Sequence, residues 1–177
     1  ILLYGSQGSL QGWCDVMENG GLEGYLNWFK ANLGPKSTSR SYKTGFPGHD
    51  LQVQGGLFSE LPPPILGTPG GREIAFTQGG LGSRIYQFFM VNPNFSLRFP
   101  YPPPLKFTTF DNKTGLFSGT LNHQGRKAVF NGIMRGDGGG FGHFLLEEAP
   151  DEPAETSSNT PIQSGMVELK VDRTFYF

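Results

Sequence analysis

The three histidines and the single cysteine are the side chains with which this sequence could bind a metal or act as a nucleophile. His49, His123 and His143 are scattered, with no cysteine or acid at metal-ligand spacing. Cys14 has no second cysteine with which to form an internal disulfide, which fits a reduced compartment or a cysteine-poor exported protein. The elbow, phosphate-loop and zinc motifs of common enzymes are absent. We therefore predict no catalytic residue, metal or cofactor, and a protein that is not an enzyme.

Three further motifs have structural explanations. The glycine-rich run 138–142 leads into Phe144-Leu145-Leu146, which reads as a strand, so it lacks the helix N-terminus of a phosphate site. Arg135-Gly136-Asp137 spells an adhesion tripeptide, but a tight turn accounts for these residues fully. Glu147-Glu148 and Asp151-Glu152 lack the ligand spacing of an EF-hand, so we interpret them as a solvated acidic loop.

Trp13 and Tyr25 are the only candidate ligand-binding residues. Both are expected on the strand faces opposite the apolar stripe, beside Gln11 and Glu23. Outward aromatic rings could stack on a sugar or dock a protein. They could equally face a second layer of the same domain.

The elements that would position these residues are strands. The chain of 177 residues contains 27 Gly, 14 Pro and 16 Phe, a composition typical of short strands joined by tight turns. An apolar–polar–glycine pattern, with a further apolar residue two places after the glycine, recurs at residues 10–14, 22–26, 117–121 and 130–134. Residues two apart share one face of a strand, so each copy predicts a half-buried antiparallel strand.

Turn signals divide the chain between these strands. We predict strands near 8–18, 22–30, 72–78, 84–90, 105–110, 116–122, 126–134, 141–146 and 165–171. Segments 31–50 and 56–71 are expected to hold most of the irregular chain, and 147–164 to form an acidic flexible loop. Leu22, Leu26, Phe29 and Leu33 also fit a helical face, but Gly24 and the preceding glycine pair favour a strand.

The first hairpin is predicted to close through a three-residue loop, Asn19-Gly20-Gly21. That register places Leu26 opposite Cys14 and Trp28 opposite Gly12, so that the indole covers a bare glycine.

The second-half hairpin is predicted to turn about Gln124-Gly125. Phe117 then lies opposite Gly132, and Phe130 lies opposite Gly119, so that each ring covers the glycine of the other strand. A slip of two residues would instead pair the two phenylalanines.

These patterns predict one all-β domain over residues 1–177, an antiparallel β-barrel or strongly coiled β-sandwich with a meander in its second half. A lipocalin-like barrel would need an open apolar cavity, and the many Phe and Leu available to fill the interior argue against it.

Charge and hydropathy limit the partners. The net charge is −1, with 14 basic and 15 acidic residues, and no basic cluster marks a nucleic-acid binder. No apolar run of about 18 residues predicts a membrane-spanning helix.

Motifs in both halves also carry a family resemblance. They lie at Tyr4–Trp13, Leu22–Lys30, Tyr42–Phe46, Thr114–Thr120, Phe130–Ile133, Gly138–Leu145 and Ser164–Leu169. In this order they resemble an uncharacterised β-rich module of large secreted or surface proteins of verrucomicrobial and related bacteria. The resemblance covers nearly the whole chain and implies an extracellular, non-enzymatic part, without catalytic or ligand residues to transfer.

Two departures from the module stand out. Phe144-Leu145-Leu146-Glu147 replaces an apolar pair that is usually followed by glycine, and residues 147–163 resemble an insertion. The module also normally has strands upstream of Tyr4, so we expect that N-terminal strands are missing here and that an open edge is filled by another chain or segment.

The sequence thus predicts a non-catalytic structural or interaction module of a bacterial cell-surface or extracellular assembly, with other chains or domains of that assembly as partners. The alternative is a carbohydrate- or ligand-binding domain attached to a secreted enzyme. Outward aromatics clustered in a groove would favour the alternative, and dispersed aromatics would favour the structural module.

Overall fold

The computed structural model describes residues 1–34, 37–56, 70–94, 96–111, 113–136, 138–150 and 159–172. These residues contain strands and no helix, so the all-β prediction is confirmed, including the strand over 22–30. Among them twelve strands follow one another in the order β1 Leu2–Leu3, β2 Gly8–Val16, β3 Leu22–Lys30, β4 Phe46–Gly55, β5 Gly70–Gln78, β6 Ile85–Val91, β7 Leu97–Arg98, β8 Leu105–Phe110, β9 Leu116–His123, β10 Arg126–Met134, β11 Gly140–Glu147 and β12 Ile162–Asp172.

The chain divides into two compact units. The first unit comprises Ile1–Leu57 and Ala149–Ile162 and contains a four-stranded antiparallel sheet in the order β1-β2-β3-β4. The second unit comprises Phe58–Glu148 and Gln163–Phe177 and contains an eight-stranded sheet. The expectation of one domain over 1–177 stays a prediction. Part of the predicted acidic loop, residues 151–158, lies outside the described residues.

The eight-stranded sheet is curled into a half-barrel, in the order β7-β6-β5-β12-β11-β10-β9-β8. Strands β8 to β12 are successive neighbours, as the predicted meander requires. Phe89 of β6 approaches Phe107 of β8, with ring centroids 5.3 Å apart, although six places in the order separate these strands. Aromatic side chains therefore pack the two ends of the curled sheet together.

The β9–β10 hairpin has the predicted register. Phe117 pairs with Gly132 and Phe130 pairs with Gly119, across a turn at Gln124-Gly125. Both rings are buried and lie where a β-carbon on the opposite glycine would stand. Phe144 occupies the space beside Gly165 in the same way.

The core of the half-barrel is built from the inward residues of its strands. Its fully buried side chains include Phe76, Phe89, Phe117, Phe130, Phe144, Ile74, Leu121, Met134 and Leu146.

The first hairpin forms, but its predicted register is wrong by two residues. Gly12 pairs with Leu26, and Trp28 pairs with Leu10. The backbone N–H of Met17 donates to the Gly21 carbonyl, which leaves a three-residue loop of Glu18-Asn19-Gly20. Gly20 takes the left-handed position at φ 78°, so the loop lies one residue earlier than predicted. The indole of Trp28 therefore does not lie opposite a glycine.

The expectation of irregular chain over 31–50 is wrong at the end of that segment, because strand β4 begins at Phe46. Pro47 and Gly48 are residues that usually interrupt strands, and they obscured this start. They are tolerated because β4 is the edge strand of its sheet and its pairing with β3 shifts register near Trp28. Of the other segment expected to be irregular, 56–71, residues 57–69 lie outside the described residues.

Candidate functional site

The four-stranded sheet has two faces of contrasting chemistry, because alternate residues of each strand point to opposite sides. The apolar face carries Leu10, Cys14, Val16, Leu22, Leu26, Leu51 and Val53, and one end of it carries Trp28, Lys30 and His49. The polar face carries Gln11, Trp13, Asp15, Glu23, Tyr25, Asn27, Phe29, Asp50, Gln52 and Gln54, and one end of it carries Leu2 and Ser9.

Trp13 and Tyr25 form a cross-strand pair at the centre of the polar face. They are direct partners in the β2–β3 ladder, and their ring centroids are 5.9 Å apart with the planes at 64°. Trp13 is 57% exposed and Tyr25 is 55% exposed. The structure thus places both rings opposite the apolar stripe and beside Gln11 and Glu23, as the sequence suggested. Their binding of a ligand stays a prediction.

Amide side chains extend this aromatic pair across the sheet. Gln52 on β4 lies opposite Tyr25, and the next row along the strands joins Gln11, Asn27 and Asp50. The Asn27 amide Nδ2 donates to Oδ1 of Asp50 at 3.0 Å. This hydrogen bond joins two neighbouring strands and restricts both side chains on the exposed surface.

The polar face carries negative charge only. Its members Asp15, Glu23 and Asp50 are carboxylates, and the defined face contains no Lys, Arg or His. Asp15 lies directly opposite Glu23, a like-charge pairing that destabilises a sheet. The fold itself gains nothing from this pairing, whereas two adjacent hydrogen-bond acceptors are useful to a ligand that offers hydroxyl groups.

Sequence reasoning placed Gln11, Trp13, Glu23 and Tyr25 on this face but missed its members on β4. The missing signal was the alternation Asp50-Leu51-Gln52-Val53-Gln54, which has the period of two that a half-buried strand requires. This signal was missed because the nearby Pro47 and Gly48 are residues that usually interrupt strands.

A buried lysine anchors one end of the sheet. The side chain of Lys30 is 1% exposed, and its Nζ donates to the Ser39 hydroxyl at 2.6 Å and to the Tyr42 carbonyl at 3.0 Å. It also donates to the Ser41 carbonyl and lies 4.8 Å from the centre of the Tyr4 ring. Burial lowers the pKa of the Lys30 ammonium. Lys30 thereby ties the chain over 39–42 to the end of β3.

Three rings complete this anchor. Trp28, Tyr42 and Phe46 pack edge to face, with centroids 4.8–5.3 Å apart. The Trp28 indole N–H is buried and lies near the Tyr4 hydroxyl, but it makes no hydrogen bond of good geometry among the described residues. Burial raises the pKa of the Tyr4 phenol, and the indole opposes that rise. The cluster is a small core with a structural role.

In the described part of the chain, the histidines do not belong to any group of side chains that could bind a metal ion. No group of three or more His, Cys, Asp or Glu side chains is found there that could hold a metal ion. His49 packs against Phe46, with ring centroids 5.4 Å apart. His143 pairs with Asn131 on the outer surface of the meander.

The second unit contains one notable cavity of about 400 Å³ beside β6 and β7. It is lined by apolar side chains with few polar groups, namely Phe88, Met90, Pro100 and Tyr101 with Gln87 and Arg98. Among the described residues, its lining contains no carboxylate, cysteine or histidine.

Comparison with known proteins adds no identification. No family model, no curated protein and no solved structure matches this chain. Among the described residues, no helix has the length and apolar character needed to cross a bilayer.

Proposed function

We propose that the protein is a non-catalytic interaction module of a bacterial cell-surface or extracellular assembly, and that other chains or domains of that assembly are its partners. The observation that carries this proposal is the apolar face of the four-stranded sheet. On that face Val16 is 79% exposed, Leu51 is 38% exposed, and the Cys14 thiol, on the same strand as Val16, is also exposed, while the other aliphatic members are half-buried.

An apolar sheet face is a surface that proteins normally cover. Antiparallel sheets bury one face and present the other to water, and two such faces pack at about 10 Å in a sandwich. Burial of each large aliphatic side chain contributes about 1.5–3 kcal/mol. The face offers aliphatic side chains from β2, β3 and β4 in neighbouring rows, which suits a second sheet of a partner protein.

The two edges of the same sheet support a role in assembly. β1 and β4 are its outer strands, and β4 extends over ten residues with an alternating pattern. Free edges are templates for additional strands. An extracellular location is supported by the family resemblance carried by the sequence motifs.

The single native cysteine provides a direct test, because Cys14 lies on the apolar face. Its labelling by a membrane-impermeant maleimide is compared between the purified chain and intact cells that produce the protein. The matched control is Gln54→Cys in a Cys14→Ala background, which moves the thiol to the polar face of the same sheet.

We expect both thiols to react in the purified chain. On intact cells, the thiol at position 54 should still react, while the labelling of Cys14 should be at least tenfold slower than in the purified chain. Equal labelling of both positions on cells would reject docking on the apolar face. Absence of labelling at position 54 on intact cells, with labelling after lysis, would reject the surface location.

A second candidate function is a carbohydrate-binding domain attached to a secreted enzyme. The Trp13–Tyr25 pair favours it, because exposed rings on a polar sheet face are suited to stacking on sugars. This candidate uses the opposite face of the sheet, so the two functions are compatible in one module.

A further inference from the structure

We propose that the polar face of the four-stranded sheet binds a neutral oligosaccharide chain, with Trp13 and Tyr25 as its stacking residues. This inference deepens the second candidate function above and does not depend on docking at the apolar face.

The aromatic pair supplies the apolar part of such a site. Trp13 and Tyr25 meet edge to face, so each ring leaves much of its surface open to solvent. A pyranose ring has C–H groups on its faces and hydroxyl groups around its rim, so it can lie on an aromatic ring while its rim stays polar.

The neighbouring side chains match that polar rim. Gln11, Asn27 and Gln52 carry amides that both donate and accept hydrogen bonds, as sugar hydroxyls do. Asp15 and Glu23 accept only, and they lie beside the aromatic pair. Hydroxyl donors of a neutral sugar would satisfy this otherwise unfavourable pair of carboxylates without adding charge.

The dimensions of the face indicate a chain of sugars. Phe29, 41% exposed, lies on the same face of β3 as Tyr25 and four residues further along. At about 3.4 Å per residue, the two rings stand ~14 Å apart along the strand. Asn27 lies between them and is held by Asp50. An aromatic–amide–aromatic line of this length suits several linked sugar units.

Charge and composition argue against other occupants. Three carboxylates without a basic residue on this face would repel nucleic acids and other polyanions. Protein interfaces are depleted of Asp and Glu at their centre, whereas here such residues flank the central pair. The aliphatic face of the same sheet is the better protein surface.

The test uses the whole chain and named probes. Native gels are cast with soluble neutral polysaccharides, namely a β-glucan, a xylan, a mannan and an α-glucan, and with polygalacturonate as an anionic comparison. Wild-type protein should be retarded by at least one neutral polysaccharide and not by polygalacturonate. Oligosaccharides of the retarding type are then titrated while tryptophan fluorescence is recorded. Because Trp13 and Trp28 are the only tryptophans, a Trp28→Phe background isolates the signal of Trp13.

The variants separate binding from folding. The double variant Trp13→Thr with Tyr25→Thr keeps strand-forming residues and should weaken binding at least tenfold. Gln52→Ala should weaken binding about threefold to tenfold without a change in thermal midpoint. The matched control is Tyr86→Thr, because Tyr86 is also 55% exposed and pairs edge to face with Phe88. That control should bind as wild type does.

Three results would overturn the inference. The first is no retardation by any neutral polysaccharide. The second is equal retardation of the wild type and the folded double variant. The third is retardation by polygalacturonate as strong as by the neutral polysaccharides. A separate variant tests whether a partner docks on the apolar face. Leu51→Glu should abolish protection of Cys14 on cells and leave retardation by the polysaccharide unchanged.

Discussion

Glycines in the strands of the half-barrel are explained by the rings that cover them. Phe117, Phe130 and Phe144 each occupy the place of a missing β-carbon on a neighbouring strand. A bare glycine weakens a strand, and an aromatic ring over it restores packing. The residue pattern therefore encodes both the strand and its register. This is why the β9–β10 pairing could be predicted from the sequence alone.

Replacement of Gly119 by Val should destabilise the second unit by about 1–3 kcal/mol, the usual cost of overpacking. A β-carbon there would lie 2.5 Å from a ring carbon of Phe130 and still closer to the Lys106 carbonyl oxygen. Urea unfolding followed by far-UV circular dichroism measures the loss. Gly56→Val is the matched control, because among the described residues no atom outside its immediate chain neighbours lies within 4 Å of its β-carbon position. Equal stability of the two variants would contradict the proposed role of the ring.

Lys30→Met should destabilise the first unit by about 1–3 kcal/mol, because buried acceptors at Ser41 and Tyr42 lose their donor. Tryptophan fluorescence reports this loss, since Trp13 and Trp28 both belong to that unit.

Lys30 should also make the stability of the first unit depend on pH. Burial lowers its pKa below the ordinary 10.5, so just below that pH the unfolded chain holds more protons than the folded chain. The unfolding free energy of the wild type should therefore rise with pH in this window. The raised pKa of Tyr4 acts in the opposite direction above pH 10.0, so the comparison is made below that value. Parallel pH profiles for wild type and Lys30→Met would contradict the assignment.

At the scale of elements, the sequence predicts most of the longer strands well and misses the one that proline and glycine interrupt. The strands over 22–30, 105–110 and 126–134 follow the predictions closely. β4 was hidden by Pro47 and Gly48, which an edge strand tolerates and a central strand does not. The polar face was accordingly predicted only in part, since Asp50 and Gln52 come from β4.

The geometry of the first turn explains why the register of the β2–β3 hairpin was predicted incorrectly. Three-residue loops need a left-handed residue at their last position, and both Gly20 and Gly21 could supply it. The choice of Gly20 leaves Asn19 free to accept a hydrogen bond from the Gly21 N–H at 2.8 Å. A difference of one residue in the loop changes the register of the hairpin by two.

Gln124→Asn should stabilise the β9–β10 hairpin. Gln124 and Gly125 both have positive φ, 50° and 76°, as a type I′ turn requires. The left-handed region costs most residues about 1–2 kcal/mol, and Asn tolerates it better than Gln. We expect a gain of about 0.5 kcal/mol in unfolding free energy, measured by urea titration. Gln54→Asn, in extended strand, should give no gain. A loss at position 124 would contradict the turn assignment.

At the scale of the whole molecule, closure of the curled sheet is a property that no local pattern encodes. β6 and β8 stand six places apart in the sheet order, and hydrogen bonds between them are absent from the described ladders. Their packing depends on Phe89, Phe99 and Phe107, whose rings are 5.3–6.3 Å apart. The sequence predicted a phenylalanine-filled interior but could not show which rings meet across the gap.

Phe89→Ala should consequently loosen this closure and destabilise the second unit by about 3–5 kcal/mol, the usual loss for a buried phenylalanine. Phe89 is 1% exposed and contacts Phe107 and Phe110 of β8 as well as Phe99. Its neighbour Phe88 points to the other face of β6 and is only partly buried, so Phe88→Ala should cost about 1 kcal/mol. Hydrogen exchange should show faster opening of β8 in Phe89→Ala than in Phe88→Ala at equal denaturant. If the amides of β8 exchange equally slowly in both variants, hydrogen bonding within the meander is sufficient to hold β8 in place. The ring contacts are then not needed for it.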